Sequence, residues 1–212
     1  LPFSKHFHVI MAFPNVWHSP LEPSGPFSNM DSVKKEVEMM MDPCADPFAA
    51  PDPDAAVEEP SRFGAKDVMD LNRIQLMNAY SCTECGRCTD ACPANKTGKK
   101  LSPRKIMMDT RDRLQEVSAV VDEHGEFKDD GRSLLDDFIS REELWACTTC
   151  NACTEACPVN IDPMSIIVEM RRYLVMEESA ANPSLNTMMT NIENNAAPWA
   201  YAQADRANWI NE

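Results

Sequence analysis

The stretch "CTECGRCTDACP", residues 82–93, sets cysteines at 82, 85, 88 and 92 and closes with Pro93. The same C-x2-C-x2-C-x3-C-P spacing returns at 147–158, with Cys147, Cys150, Cys153, Cys157 and Pro158. A chain built this way must twice gather sulfurs from a tight loop, and that restricts its fold more than any other feature. A disulfide framework is the first reading to weigh. Such frameworks belong to short secreted chains with more than about one cysteine in twelve residues. Here nine cysteines occur in 212 residues, and eight of them lie in the two repeats. Thiols two residues apart are badly placed to bridge one another and well placed to converge on a metal centre. The start of the chain shows none of the regions of a secretory signal. The eight thiols are therefore read as reduced, in a cytoplasmic or cytoplasm-facing protein.

The stretches around the motifs read as helices. Ser102 before Pro103, and Asp162 before Pro163, are a capping side chain followed by proline at the first helical position. The helix after the first motif places Ile106, Leu114, Val117 and Val121 on one face, and its counterpart places Ile167, Met170 and Leu174. A helix over 65–80, through Val68, Leu71, Ile74 and Met77, leads into the first motif, and one over 133–145 leads into the second. No strand pattern is visible, so the expected fold is all-α, with each cysteine loop between two helices.

The remaining segments divide the chain. Residues 1–41 form an N-terminal segment with a short helix over 31–41, capped by Asp31 or Ser32, whose "EMMM" at 38–41 reads as a buried helix edge. Residues 42–62 hold prolines and acids in a stretch too poor in apolar surface to repay its ordering, and read as a linker. Cys44 lies there as a free thiol. The compact part covers 63–180, and a polar tail, 181–212, carries Trp199, Tyr201 and Trp209. With 20 Lys plus Arg against 34 Asp plus Glu, the formal charge is −14, which argues against nucleic acid. Lys96, Lys99, Lys100, Arg104 and Lys105 make the one basic run, a solvated loop or a docking patch. No nucleophile–base pair, phosphate loop or dinucleotide fingerprint appears.

The cysteine spacing is that of thiolates holding a cubane 4Fe–4S cluster. Zinc is the competing reading, but it favours two separated C-x2-4-C pairs closing one tetrahedron. In two-cluster ferredoxins the fourth cysteine of each run ligates the other cluster. By that rule one cluster takes Cys82, Cys85, Cys88 and Cys157, and the other takes Cys147, Cys150, Cys153 and Cys92.

Two motifs separated by a helical insertion resemble the α-helical ferredoxin domain of fumarate reductase iron–sulfur subunits. "CTECGRCTDACPA…LSPRKIM" is more closely similar to the heterodisulfide reductase C subunit and the iron–sulfur subunits of anaerobic glycerol-3-phosphate and glycolate dehydrogenases. The resemblance covers residues 63–180. The tail "NIENNAAPWAYAQADRANW" is similar to a segment these proteins carry next to a cysteine-rich CCG-type domain. Ala196, Ala197 and Ala200 stand where that segment has glycines and an asparagine, while Pro198, Trp199, Arg206 and Trp209 fit it. The resemblance implies a partner that is a CCG-domain iron–sulfur or flavin-containing oxidoreductase subunit.

"LPFSKHFH" resembles the P-F-[ST]-[KR]-x-x-H segment of membrane cytochrome b subunits of the nitrate reductase gamma type. That likeness implies a haem b ligand at His8 and places the chain after a membrane domain, at the cytoplasmic face of the inner membrane. The start at Leu1, without methionine, fits the same expectation. Residues 1–17 are too short and too polar to span a bilayer themselves. The expected function is an electron-transfer subunit relaying single electrons through two 4Fe–4S clusters, between a membrane quinone or haem module and the CCG-type partner. The alternatives are an assembly module with redox-silent clusters and a soluble ferredoxin-like subunit without a membrane link.

Overall fold

The computed structural model describes residues 6–22, 25, 27–42 and 62–211. Leu1–Lys5 and the linker stretch 43–61, with Cys44, lie outside the described residues. Among the described residues the chain is all-α, and its sole extended pairing is an isolated bridge between Leu135 and Ile139. The chain gathers into two compact units, Leu1–Tyr173 and Leu174–Glu212.

In the first unit, α6 (Pro103–His124) is the central helix, begun by the Ser102 cap and Pro103 and ended by Gly125 at φ 78°. A residue without Cβ takes this left-handed position at least cost. Ile106 and Val117 are buried as the periodicity predicts, but Leu114 and Val121 are only half-covered. Their places on the buried face are taken by Met107, Thr110 and Arg113. These polar groups can go inside because each is satisfied there. Thr110 Oγ1 donates to Ile106 O, and Arg113 donates to Asp67, Asp130 and the carbonyl of Arg132. The second long helix, α10 (Pro163–Arg172), starts on Asp162 and Pro163 and buries Met164, Ile166, Ile167 and Met170.

The leading helices are shorter than the sequence predicts, because capping side chains break them. Before the first motif, Asp67 caps a 3-10 turn over Val68–Asp70, Leu71 turns extended, and Asn72 restarts the chain. A reciprocal capping box of Asn72 and Gln75 then opens α3 (Arg73–Ser81). Before the second motif, the expected helix over 133–145 gives way to a turn at Leu134–Asp137 with Asp136 at φ 74°. The box of Ser140 and Glu143 starts α8 (Arg141–Ala146) only afterwards. The approaches to both motifs are held by α6. Arg113 pairs with Asp67 at 2.7 Å, and Lys105 pairs with Glu143 at 3.1 Å.

One helix has no counterpart in the sequence reading. Helix α1 (Phe7–Trp17) sets Phe7 edge-on to Tyr80, its Met11 carbonyl accepts from Ser81 Oγ, and Asn15 Nδ2 donates to Val159 O at 2.9 Å. It thereby touches the approach to the first motif and the exit of the second. Its other face, Val9, Ile10, Phe13, Val16 and Trp17, is open. Helix α2 (Asp31–Met41) forms where expected, but its N-cap is Met30 and Asp31 stands inside the first turn. The expectation of a buried edge at 38–41 is overturned: Met39, Met40 and Met41 are all exposed. Consecutive positions fall around more than half the helix circumference, so one packed face cannot cover all three.

In the second unit, α11 (Pro183–Asn195) begins on the Asn182 cap and Pro183 and stops at Ala196, φ 53°. Ala196 is thus an L-residue in the left-handed position, at one of the three alanines noted above. Two 3-10 turns follow, Gln203–Asp205 and Asn208–Asn211. Trp199, Tyr201 and Trp209 are exposed.

Candidate iron–sulfur centres

Each cysteine loop is built by the same backbone device. Cys82 ends α3 and Cys147 ends α8, both in extended conformation. Two residues on, Glu84 and Thr149 turn left-handed at φ 56° and 55°. Two further on, Gly86 and Asn151 do so again at 84° and 59°, and serve as N-caps of α4 (Arg87–Ala91) and α9 (Ala152–Glu155). Glycine and asparagine are the residues that tolerate this region best. Such alternation turns successive N–H groups to one side and makes a concavity for an anion. Sulfur is what these groups meet. The N–H of Thr149 points to Cys147 Sγ at 3.4 Å, and the N–H groups of Glu84, Arg87 and Thr89 reach Cys82, Cys85 and Cys88. Hydroxyls of Thr83 and Thr89 add bonds to Cys85 and Cys88, while that of Thr154, beside Cys153, donates to Asp162 Oδ1 at 3.0 Å.

Two hollows result. The first is lined by Cys82, Cys85, Cys88 and Cys157, with Cys153 also on its wall, among Met107, Val159 and Ile161. The second is lined by Cys92, Cys147, Cys150 and Cys153 among Leu101, Met164 and Ile167. Cys157 of the second motif therefore faces the thiols of the first, and Cys92 of the first faces those of the second. The packing of α4 against α9 brings the two motifs side by side.

The electrostatics follow the same grouping. Burial pushes the Cys82 thiol up, and Cys88 and Cys157 push the same way. Burial also raises Cys88, with Cys157 adding to it, and raises Cys147, with Cys92 adding to it. Cys153 is driven to about 12, chiefly by burial. Cys85, exposed, is lowered by the N–H of Arg87. Sulfurs held close in apolar pockets resist becoming anions unless positive charge arrives among them.

The donor set fits a multi-iron group. Both hollows are lined by thiols, without a carboxylate or imidazole, and soft sulfur ligands select zinc, cuprous copper or iron–sulfur clusters. Among the described residues no three His, Cys, Asp or Glu side chains converge closely enough to hold a single ion. The sulfurs ring a space rather than a point, which disfavours the zinc reading and suits a cubane.

His8 sits in the first turn of α1, half-buried, and lines neither hollow. Lys100 and Lys105 of the basic run are engaged with Glu142, Asp109 and Glu143, so part of that run is tied to the fold. Sequence reasoning missed Arg171, whose guanidinium donates to the carbonyls of Leu144 and Cys147 and lies over the Trp145 ring. Its only sequence signal is its place two turns into the helix after the second Cys-Pro.

Comparison with known proteins points the same way. Residues 81–161 match the family model of the 4Fe-4S dicluster domain. The whole chain aligns at 31% identity with the probable iron-sulfur-binding oxidoreductase FadF of Bacillus subtilis, covering 31% of that protein. It is 34% identical to the EtfAB:quinone oxidoreductase of Syntrophomonas wolfei over 74% of this chain and 24% of the relative. A third relative is the C subunit of the ferredoxin/F(420)H(2)-dependent CoB-CoM heterodisulfide reductase of Methanosarcina acetivorans. There the identity is 32%, over 53% of this chain and 56% of the relative. The chain therefore spans a third or less of the length of the first two relatives and about half of the third.

Proposed function

We propose that this chain is the electron-transfer part of an oxidoreductase, with one 4Fe–4S cluster on Cys82, Cys85, Cys88 and Cys157 and another on Cys92, Cys147, Cys150 and Cys153. The observation that carries this reading is the pair of hollows, each lined by those four thiols. When bound, such clusters accept and release single electrons. The protein's work is to hold the thiolates, to aim backbone N–H and threonine hydroxyls at them, and to keep water away with Met107, Ile161, Leu101 and Ile167. The exposed Cys85 and Cys150 mark where each centre comes nearest the surface, and Cys92 and Cys153 where the second is deepest. We assign substrate chemistry to a partner, since among the described residues the only clustered reactive groups are the thiols.

The partners follow from two uncovered surfaces. Trp199, Tyr201 and Trp209 with Arg206 are the residue types that anchor protein interfaces, and a cysteine-rich CCG-type oxidoreductase subunit is the partner we assign to them. In the first unit, α1 is mostly apolar and covered on one side only, with Val9, Ile10, Phe13, Val16 and Trp17 open, as suits a helix lying against a membrane module. Residues 6–21 hold no Asp or Glu in a chain with 34 of them. No helix among the described residues is long and apolar enough to cross a membrane, so the quinone or haem module would be another segment or subunit. His8 is this chain's proposed ligand for a haem b in that module, at the cytoplasmic face.

The test is anaerobic purification with iron and sulfide analysis, then electron paramagnetic resonance after dithionite. Two interacting signals at accessible potentials support the relay. Bound clusters that stay silent over the solvent-accessible range leave the structural role instead. Deleting residues 185–212 should spare both signals and abolish co-purification with the partner. His8→Ala should remove a haem absorbance band from the membrane-bound protein, and an unchanged spectrum ends the haem assignment.

A further inference from the structure

Arginines that leave the surface of the first unit come with carboxylates. Arg111 pairs with Glu84 and Asp112, Arg113 with Asp67 and Asp130, Arg141 with Asp136, and Arg172 with Glu169. Arg171, half-buried, pairs with none among the described residues. Its Nε donates to Leu144 O at 3.0 Å, its Nη2 to Leu144 O and Cys147 O, and its Cζ lies 5.1 Å over the Trp145 ring. Backbone carbonyls and a ring face satisfy its protons but leave its charge uncancelled, and a half-buried charge without a counter-ion is costly. Its bond to the Cys147 carbonyl sets the guanidinium on the turn that carries that thiol.

From this geometry we infer that Arg171 sets the reduction potential of the centre on Cys92, Cys147, Cys150 and Cys153, with the thiolate-bound cluster as its missing counter-ion. The inference rests on the two-cluster reading above. A cluster on four thiolates is negative and gains one more negative charge on taking up an electron. A fixed cation beside a ligand stabilises the reduced state more than the oxidised state and so raises the potential. The carbonyl bonds hold the guanidinium to the turn that carries Cys147, so the effect persists at salt concentrations that screen exposed charges. At the first loop Arg111 reaches Glu84, two residues after Cys82, but there Glu84 and Asp112 cancel its charge.

The experiment is a dithionite redox titration of the full chain with both clusters loaded, followed by electron paramagnetic resonance. At the wild-type midpoint, Arg171→Gln should lower the reduced-to-oxidised ratio of the second centre about tenfold, equivalent to about 59 mV for a one-electron couple. The first centre should not move. Arg171→Lys, which keeps the charge, should restore most of the ratio. Arg111→Gln should shift the first centre less than Arg171→Gln shifts the second. An unchanged second centre in Arg171→Gln, or an equal fall in both centres, overturns the inference. Should Arg171→Gln lose iron, Trp145→Glu compared with Trp145→Gln isolates the charge. A lower ratio in the glutamate variant supports the inference, and equal ratios overturn it. Wild-type protein without iron and sulfide refutes instead the two-cluster reading on which the inference rests.

Discussion

Residues 82–86 and 147–151 turn left-handed at the same two places and aim N–H groups at sulfur in the same way, yet their supports are unlike. The first loop hangs from the nine-residue helix Arg73–Ser81, overlaid by Phe7–Trp17, and its approach is locked by a fully buried guanidinium, Arg113. The second hangs from six residues, Arg141–Ala146, and its approach is held by Lys105, whose side chain is 43% exposed. Duplication thus reproduces what the cluster needs, the turn and the thiols. The anchoring is free to diverge, because many arrangements of charge and packing can fix a loop end.

The largest effect should come from the crossed thiols. Cys157→Ser is expected to remove the centre beside Cys82, and Cys92→Ser the centre beside Cys147, each read as loss of one paramagnetic signal. Loss of the signal from the motif that carries the mutation, with the other intact, would break the symmetry of the comparison. Chelating the iron should unfold much of the first unit, since ligation by these thiols is coupled to folding, and far-ultraviolet circular dichroism reads the loss.

Unequal anchoring should show next. Arg113→Ala leaves Asp67 and Asp130 without their cation and should cost about 3–5 kcal/mol in chemical denaturation. Lys105→Ala, at a wetter site, should cost about 1 kcal/mol. Equal losses would mean that burial does not separate the two approaches.

Acid should loosen the first approach through Asp130. The guanidinium of Arg113, hydrogen-bonded to Asp130, holds that carboxyl down at about 2 from an ordinary 3.8. A carboxyl lowered in the fold contributes stability that is complete above its unfolded value and drains away as pH falls through the folded one. The melting temperature should therefore drop between about pH 4 and pH 2, and Asp130→Asn should flatten that slope. A wild-type slope unchanged by the substitution would remove Asp130 from the account.

The smallest difference lies within the turns. Gly86→Ala puts a Cβ at φ 84° in ordinary contact with the Arg104 side-chain tip at 3.7 Å, so only backbone strain of about 1 kcal/mol is expected. Asn151→Gly relieves the same strain and removes a buried Oδ1 that has no hydrogen-bond partner. It should be neutral or mildly stabilising by thermal denaturation, and a loss above about 1 kcal/mol would assign Asn151 a further role.

The sequence determined the local rules. Eight cysteines at fixed spacing, prolines at 93 and 158, and the caps at Ser102 and Asp162 act within a few residues, so the two motifs and the helices that follow them could be read from order alone. The tertiary structure decided what depends on distant partners. Asn72 and Ser140 have box partners only three residues on, Gln75 and Glu143, but Glu143 is also held by Lys105, 38 residues away on α6. Arg113 could enter the core because Asp67 and Asp130, 46 and 17 residues away, meet it there. Helix α1 reads as an apolar stretch until Tyr80, Ser81 and Val159 give one side of it something to cover. Periodicity records which face is apolar, and it is silent on which charges will find one another. The counter-ions of Arg113, and the lack of one at Arg171 among the described residues, therefore became visible only in the folded chain.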